Sequence, residues 1–326
     1  MKYFSHQNVT SAKEGVSCAK DCNGKASFIA GGTDLLGILK DNLLPTYPEK
    51  LINLKTIEAL AGVENLDGVV RIGALTKLSA LERDLEITRN FPALASAAAS
   101  VATPEIRNAA TLGGNLCQDT RCWYYRYPNH MGGRMDCPRK GSGPCHAVLG
   151  DNRYHSVVDG KRCFAPCPSD TAVALAALGA TVEVLGIEGA KNLPIEEIYS
   201  PMGTVLKAEE ILTHIDIPAP PPESIQGFKK FTVRKPIDFA IVSIAAKVNI
   251  TNGIVDGANI FFGAVAPQPY RDEAVESALI GEKFDTKSIA KAAGQALVKA
   301  KPLSMNAYKI DIARTLTVEL LESFII

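Results

Sequence analysis

The chain has 326 residues, of which 46% are hydrophobic and 21% are charged, as in an ordinary globular protein of two or three packed units. Its 35 basic and 35 acidic residues cancel, so charge indicates neither a nucleic acid nor an anionic membrane as partner. No apolar run reaches the roughly 20 residues that span a bilayer, and the first residues lack the apolar segment of a secretory signal. We therefore expect a cytoplasmic protein without a membrane span, and export together with a partner subunit stays open.

The first glycine motif follows a short apolar run. Residues 26–40 read ASFIAGGTDLLGILK, which is typical of a strand, a tight turn and a helix start. Gly31 and Gly32 can adopt positive φ, and Thr33 or Asp34 can cap the helix. Unpaired backbone N–H groups at such a turn would suit a pyrophosphate. A plain strand–helix connection that needs glycine is the alternative.

A second glycine motif, ATLGGN at 110–115, comes after strands predicted at 51–54 and 68–74 and helices predicted at 76–84 and 91–101. We expect it to form another turn. Two such turns in one domain favour a nucleotide site more than either turn does by itself. Neither matches GxGxxG, so a Rossmann site is disfavoured.

A helix is predicted at 169–178, with Ser169 or Asp170 near its start. Alternating apolar residues predict strands at 180–185 and 210–217.

The clearest linker is the proline-rich stretch at 218–222, which is stiff and extended. We place the main boundary there, which divides the chain into residues 1–221 and 222–326. The second unit contains no cysteine, and we interpret it as a packing and substrate-side domain. Its predicted elements include a strand at 228–234 and helices at 285–299 and 306–322.

Six of the eight cysteines lie in or beside an insertion at about 118–168, which is rich in glycine, proline and arginine. A long loop in a compact domain needs something to order it, and in a reducing compartment a metal centre bound by thiolates would do so. The wide spacings lack the close cysteine pairs of zinc sites and favour an iron–sulfur cluster. Cys163 and Cys167 compete for the fourth ligand position. A basic solvated loop with incidental cysteines is the alternative.

Several segments together resemble the medium, FAD-binding subunit of the molybdenum hydroxylases, the xanthine dehydrogenase and carbon monoxide dehydrogenase family. They are FIAGGTDLL, RNAATLGGNLCQ, PSDTAVALAALGA, EEILTHIDIP and VRKPIDFAIVSIAA, and they span nearly the whole chain. The resemblance implies an α+β protein with an FAD-binding fold of the vanillyl-alcohol oxidase (PCMH) type. Its two subdomains would be about 1–56 and 57–221, followed by an α+β domain like that of the CO dehydrogenase flavoprotein.

The cysteine insertion resembles the flavin subunits of 4-hydroxybenzoyl-CoA reductase and of a bacterial aldehyde oxidoreductase, which carry an extra [4Fe-4S] cluster. The resemblance implies that Cys122, Cys137, Cys145 and Cys163 bind this cluster. It implies that the turn at 29–35 holds the FAD diphosphate, that Asp170 bonds the ribityl chain and that two further residues approach the isoalloxazine. The positions it assigns to FAD are Ile29, Ala30, Gly31, Gly32, Thr33, Asp34, Leu35, Ala102, Ile106, Thr111, Gly114, Asn115, Cys117, Asp170, Leu212 and Lys230.

The function implied is electron transfer between FAD, the [4Fe-4S] cluster and two partner subunits. One partner is a large molybdopterin-binding subunit and the other a small subunit with two [2Fe-2S] clusters, an assembly that also allows a dimer of heterotrimers. The external electron carrier would be ferredoxin, NAD or a quinone-linked protein, and the direction of electron flow stays open. The substrate would be an aldehyde, an N-heterocycle or an aromatic CoA ester, and no catalytic residue is expected in this chain. A stand-alone flavin reductase and a zinc-stabilised scaffold subunit are the alternatives.

Overall fold

The computed structural model describes residues 1–235 and 237–325. The chain opens with a small parallel sheet in the order β1-β3-β2, covered by two helices. Its elements are β1 (Ser5–Asn8), α1 (Ala12–Asp21), β2 (Ala26–Ile29), α2 (Leu35–Lys40) and β3 (Lys50–Asn53). The side chain of Ser11 caps α1 by accepting a hydrogen bond from the backbone of Glu14. This sheet places the first glycine motif at the carboxyl end of β2.

A run of short helices separates the first two strands of the second region from the rest of their sheet. The elements are β4 (Val63–Leu66), β5 (Val69–Gly73), α3 (Leu78–Leu81), α4 (Leu85–Asn90), α5 (Pro92–Ala99), α6 (Pro104–Ala109) and α7 (Leu112–Leu116). The insertion follows, with one helical turn, α8 (Trp123–Arg126), and single 3-10 turns at Pro138–Lys140 and His146–Val148.

The chain then completes an antiparallel sheet in the order β4-β5-β10-β6-β7. The added elements are α9 (Asp170–Leu178), β6 (Thr181–Gly186), β7 (Gly189–Pro194), β8 (Tyr199–Ser200), β9 (Gly203–Thr204) and β10 (Ile211–Pro218). Strands β8 and β9 pair as a separate small hairpin.

The C-terminal region is a second antiparallel sheet, in the order β11-β12-β13-β14, with three helices. The elements are β11 (Ser224–Phe231), β12 (Val242–Thr251), β13 (Ile254–Gly263), β14 (Tyr270–Arg271), α10 (Glu273–Leu279), α11 (Thr286–Ala293) and α12 (Tyr308–Glu322). Mixed helices and strands in separate sheets agree with the α+β class expected from the sequence.

Helix α9 joins the two halves of the molecule. All nine of its residues are buried, and it packs against β10 on one side and against β12 and β13 on the other. A helix that is apolar all round is stable in this position because it has no solvent-facing side. Gly263 permits the close approach, since a Cβ there would lie 2.6 Å from Val173 Cγ2. The fold therefore holds Asp170, at the start of α9, close to the C-terminal sheet.

Some predicted elements differ from those of the structure. The second glycine motif, predicted as a turn, is the short helix α7, because the Thr111 hydroxyl accepts a hydrogen bond from Gly114 N and caps it. Only residues 78–81 of the helix predicted at 76–84 are helical, as α3. The strand predicted at 228–234 is β11, which starts and ends earlier. No helix among residues 1–235 and 237–325 is long and apolar enough to cross a membrane.

Candidate functional site

The turn between β2 and α2 presents unused hydrogen-bond donors. The backbone N–H groups of residues 31–35 donate to no acceptor within the described parts of the chain. Gly32 has a φ of 72°, a conformation that glycine adopts without strain. Adjacent free N–H groups at a turn form a concave site for an anion such as a diphosphate. The residues of this turn therefore fit the group that the sequence predicted there.

Gly31 has a packing role of its own. A Cβ at this position would collide with the carbonyl oxygen of Ala109 and lie 3.0 Å from Ala110 Cα. Those two residues lead into the second glycine motif, so the two motifs are in direct backbone contact. Only glycine allows this approach.

Asp34 ties the first turn to the cysteine insertion. Its Oδ1 lies 2.8 Å from Arg121 Nη1 and 2.8 Å from Arg126 Nη2, and its Oδ2 accepts a hydrogen bond of 2.8 Å from Asp119 N. Burial lowers the pKa of Arg121 to about 10, and the charge of Asp34 opposes that shift. Asp34 is the N-cap residue of α2, as the sequence predicted, but its side chain makes no capping hydrogen bond because these partners from the insertion occupy the carboxylate.

The second motif is linked to the start of α9. Asn115 Oδ1 accepts hydrogen bonds of 2.7 Å from Ser169 Oγ and from Thr171 Oγ1. Ser169 Oγ also caps α9, as the sequence predicted. This arrangement fixes the Asn115 amide.

The other predicted flavin positions differ in exposure. Thr111 is buried, whereas Gly114, Cys117 and Ile106 are exposed. Ala102 adopts a φ of 47°, which is uncommon for alanine and marks a tight turn before α6.

Asp170 and Lys230 form a buried ion pair of 2.8 Å, with side chains 7% and 8% exposed. Lys230 Nζ also donates a hydrogen bond of 2.9 Å to Ser100 O. The next residue, Lys229, lies on the other face of β11 and pairs with Glu319 near the surface. The sequence singled out Asp170 and Lys230 separately, and the structure brings them together. Leu212 is buried in the main core, beside a bulge in β10.

A cavity of about 440 Å³ lies between the insertion and the C-terminal domain, a volume typical of cofactor and ligand sites. Its lining includes Cys122, Trp123, Cys167, Asp170 and Phe239. The guanidinium of Arg121 lies 4.7 Å from the centre of the Phe239 ring, a favourable cation–π contact.

The four predicted cluster cysteines, Cys122, Cys137, Cys145 and Cys163, are free thiols. Burial raises the pKa of Cys122 to about 11, and the nearby thiols of Cys163 and Cys145 add to the shift. Burial lowers the pKa of Lys140, while the charges of Cys137 and Cys122 oppose this shift. Within the described residues, no three cysteine, histidine or acidic side chains come together as a site for a metal ion.

Cys167 lines the same cavity as Cys122. With Cys117, it also lies close to the half-buried phenol of Tyr199. Burial raises the pKa of the Cys167 thiol to about 12. Of the two candidates for the fourth ligand position, Cys163 is the thiol whose charge acts on Cys122, together with that of Cys145.

Two residues that the sequence did not single out contact the predicted cluster ligands. Arg139 Nε donates a hydrogen bond of 3.2 Å to Cys163 Sγ. His155 Nε2 lies 3.2 Å from Cys122 Sγ. Burial, together with the charge of Lys309, lowers the pKa of His155 to about 4, so the ring is neutral at pH 7. Nothing in the local sequence distinguishes either residue from its neighbours.

Comparison with known proteins assigns this architecture to a class of flavin-containing oxidoreductase subunits. Residues 2–220 match the FAD binding domain in molybdopterin dehydrogenase, and residues 227–324 match the CO dehydrogenase flavoprotein C-terminal domain. The chain belongs to the family of FAD-binding subunits of the molybdenum hydroxylases, as its sequence resemblance implied.

Individual relatives agree over nearly the full length. The chain is 33% identical to the aldehyde oxidoreductase FAD-binding subunit PaoB of Escherichia coli (strain K12), with 99% of each chain covered. Its fold matches a chain of carbon monoxide dehydrogenase from Hydrogenophaga pseudoflava with a TM-score of 0.77 and 24% identity, over 98% of this chain and 96% of that one. It also matches quinoline 2-oxidoreductase from Pseudomonas putida 86, with a TM-score of 0.77 and 23% identity, over 99% and 98% of the two chains.

Proposed function

We propose that this chain is the electron-transfer subunit of a multi-subunit molybdenum hydroxylase and holds both FAD and a [4Fe-4S] cluster. The observation that carries the proposal is the Asp34 contact, which joins a turn with free N–H donors directly to the insertion that contains the cysteines. FAD supplies one-electron and two-electron redox chemistry when bound, and an iron–sulfur cluster supplies one-electron transfer. The protein positions the two groups and sets their environments.

For FAD, the turn at 29–35 would hold the diphosphate through its backbone N–H groups. The second motif supports this assignment, because Asn115 is fixed by two hydroxyl groups and Gly114 is exposed beside it. The remaining residues of the FAD site are proposed as in the sequence analysis. Asp170, which lines the cavity and pairs with Lys230, is proposed for the ribityl chain. Leu212 and Lys230 are proposed for the isoalloxazine.

For the cluster, Cys122, Cys137, Cys145 and Cys163 are the proposed ligands. Support comes from their free thiols, from the charges of Cys145 and Cys163 that act on Cys122, and from the guanidinium that donates to Cys163. Each of the four residues would supply one thiolate to the cluster. Cys163 is proposed in preference to Cys167 because its charge, and not that of Cys167, is among those that act on Cys122.

The partners that we propose are a large molybdopterin-binding subunit and a small subunit with two [2Fe-2S] clusters. The relatives' names span an aldehyde, carbon monoxide and quinoline, so the large subunit would determine the substrate. The relative at 33% identity is a subunit of an aldehyde oxidoreductase, and on that basis an aldehyde is the substrate class to assay first. We also propose the domain limits 1–221 and 222–326, with the insertion at about 118–168.

Flavin, iron and sulfide analysis of the anaerobically purified complex tests the proposal. We expect one FAD per chain, and we expect Cys145→Ser to remove one cubane's content of iron and sulfide. Cys167→Ser should retain that iron, and so should the matched control Cys22→Ser, which changes a half-buried cysteine at the end of α1. A complex without stoichiometric FAD contradicts the flavin assignment. Unchanged iron in Cys145→Ser removes that residue from the ligand set.

A further inference from the structure

The Arg139 side chain is buried and held by several partners, unlike an arginine that is only solvated at the surface. Its side chain is only 9% exposed. Its Nε donates to Cys163 Sγ at 3.2 Å, its Nη1 lies 3.1 Å from Asp119 Oδ1, and its Nη2 donates to Pro201 O at 3.4 Å. All three nitrogens of the planar guanidinium therefore have a partner, and the direction of the N–H···S bond is fixed.

The surroundings of Arg139 are arranged to hold it. Asp119 accepts hydrogen bonds from Thr120 N at 2.7 Å and Tyr125 Oη at 2.5 Å, which fixes its carboxylate. Gly203, in the β8–β9 hairpin, has a φ of 127°, and a Cβ there would lie 3.2 Å from Arg139 Nη1. The hairpin, the insertion and the residues that follow the second glycine motif thus all contribute to one arginine site.

This site connects a proposed cluster ligand with the proposed FAD turn. Asp119, which pairs with Arg139, donates its backbone N–H to the Asp34 carboxylate. Hydrogen bonds to ligand sulfurs and nearby charge are among the factors that set the potential of an iron–sulfur cluster. A permanently protonated guanidinium stabilises the more negative, reduced state.

We propose that Arg139 is a positioning residue that raises the reduction potential of the cluster through its hydrogen bond to Cys163. This inference rests on the proposed function, because it needs a cluster bound by Cys163. It concerns the reduction potential of the cluster, which iron and sulfide analysis of the cysteine variants does not measure. Lysine at this position would keep the charge, but its single nitrogen cannot serve both Cys163 and Asp119 in the geometry of the fork.

The test is a potentiometric titration of the purified complex, followed by electron paramagnetic resonance of the cluster. Arg139→Gln should shift the ratio of oxidised to reduced cluster about tenfold at a fixed potential, which corresponds to about 59 mV lower for a one-electron couple. Arg139→Lys should lower the potential by less. The matched control is Arg153→Gln, which removes a half-exposed arginine of the same insertion that pairs with Asp151. Its potential should equal that of the wild type.

The outcomes separate the inference from the proposed function. A wild-type complex without cubane iron and sulfide overturns both. A complex that contains the cluster but shows the same potential in wild type and Arg139→Gln overturns only the role of Arg139. If the glutamine variant fails to assemble, the lysine variant decides: full iron with an unchanged potential overturns the inference, and full iron with a lowered potential supports it.

Discussion

The buried pair of Asp170 and Lys230 gives the sharpest prediction about stability. At 2.8 Å, the attraction between two unit charges is about 6 kcal/mol at an effective dielectric constant of 20. The cost of burying both charges offsets most of this attraction, but removal of one partner leaves the other uncompensated at a cost of roughly 3–5 kcal/mol. Lys230→Met should therefore lower the free energy of unfolding by about that amount, which also includes the lost hydrogen bond to Ser100 O.

The adjacent residue provides a matched control. Lys229 pairs with Glu319 at 3.3 Å, and these side chains are 36% and 53% exposed. An exposed pair contributes about 0–1 kcal/mol, so Lys229→Met should change stability by no more than that. The double variant Asp170→Asn/Lys230→Met should recover much of the loss, because it leaves no unpaired charge.

Urea unfolding followed by tryptophan fluorescence measures these differences. The chain has a single tryptophan, Trp123, and it lines the cavity that Asp170 also lines. The signal therefore reports on the region of the ion pair. A loss in Lys230→Met no larger than that in Lys229→Met would refute the reasoning, as would a double variant less stable than either single one.

Two further predictions concern packing and pH. Gly31→Ala should cost about 1–3 kcal/mol of stability and weaken FAD binding, since the new Cβ meets the Ala109 carbonyl. The control is Gly37→Ala, because Gly37 lies in α2 with open space around it. This change should stabilise the chain by about 0.5–1 kcal/mol in the same unfolding assay. Burial lowers the pKa of Lys309 to about 7, whereas the unfolded chain keeps a value near ~10.4. The unfolded state therefore binds more protons between these values, and this residue makes stability rise with pH across that window. Between pH 7 and pH 9, the free energy of unfolding should rise less in Lys309→Met than in the wild type. An equal rise in the two proteins would contradict the lowered pKa of Lys309.

Local features of the site were predictable from sequence because they depend on neighbouring residues. The strand, glycine turn and helix start at 26–40 are encoded in one continuous segment, and the structure confirms each of them. The same holds for Ser169, whose hydroxyl caps α9. A cap, a turn and an amphipathic or buried run need only a few adjacent positions, and each has a recognisable residue preference.

The side chain of Asp34, which lies at the predicted N-cap without capping the helix, illustrates what local patterns omit. An aspartate before a helix usually caps it, but this carboxylate bonds instead to groups more than eighty positions later, in a segment with no regular periodicity. A residue preference for the N-cap reflects the choice between a local hydrogen bond and water. Two partly buried guanidinium groups offer this carboxylate a stronger alternative that only the folded chain creates. Gly31 shows the same limitation: it was selected as a ligand-binding glycine, although its contact with Ala109 already requires glycine. Because packing already requires glycine at position 31, the free N–H groups of the turn, and not the presence of glycine, support FAD binding there.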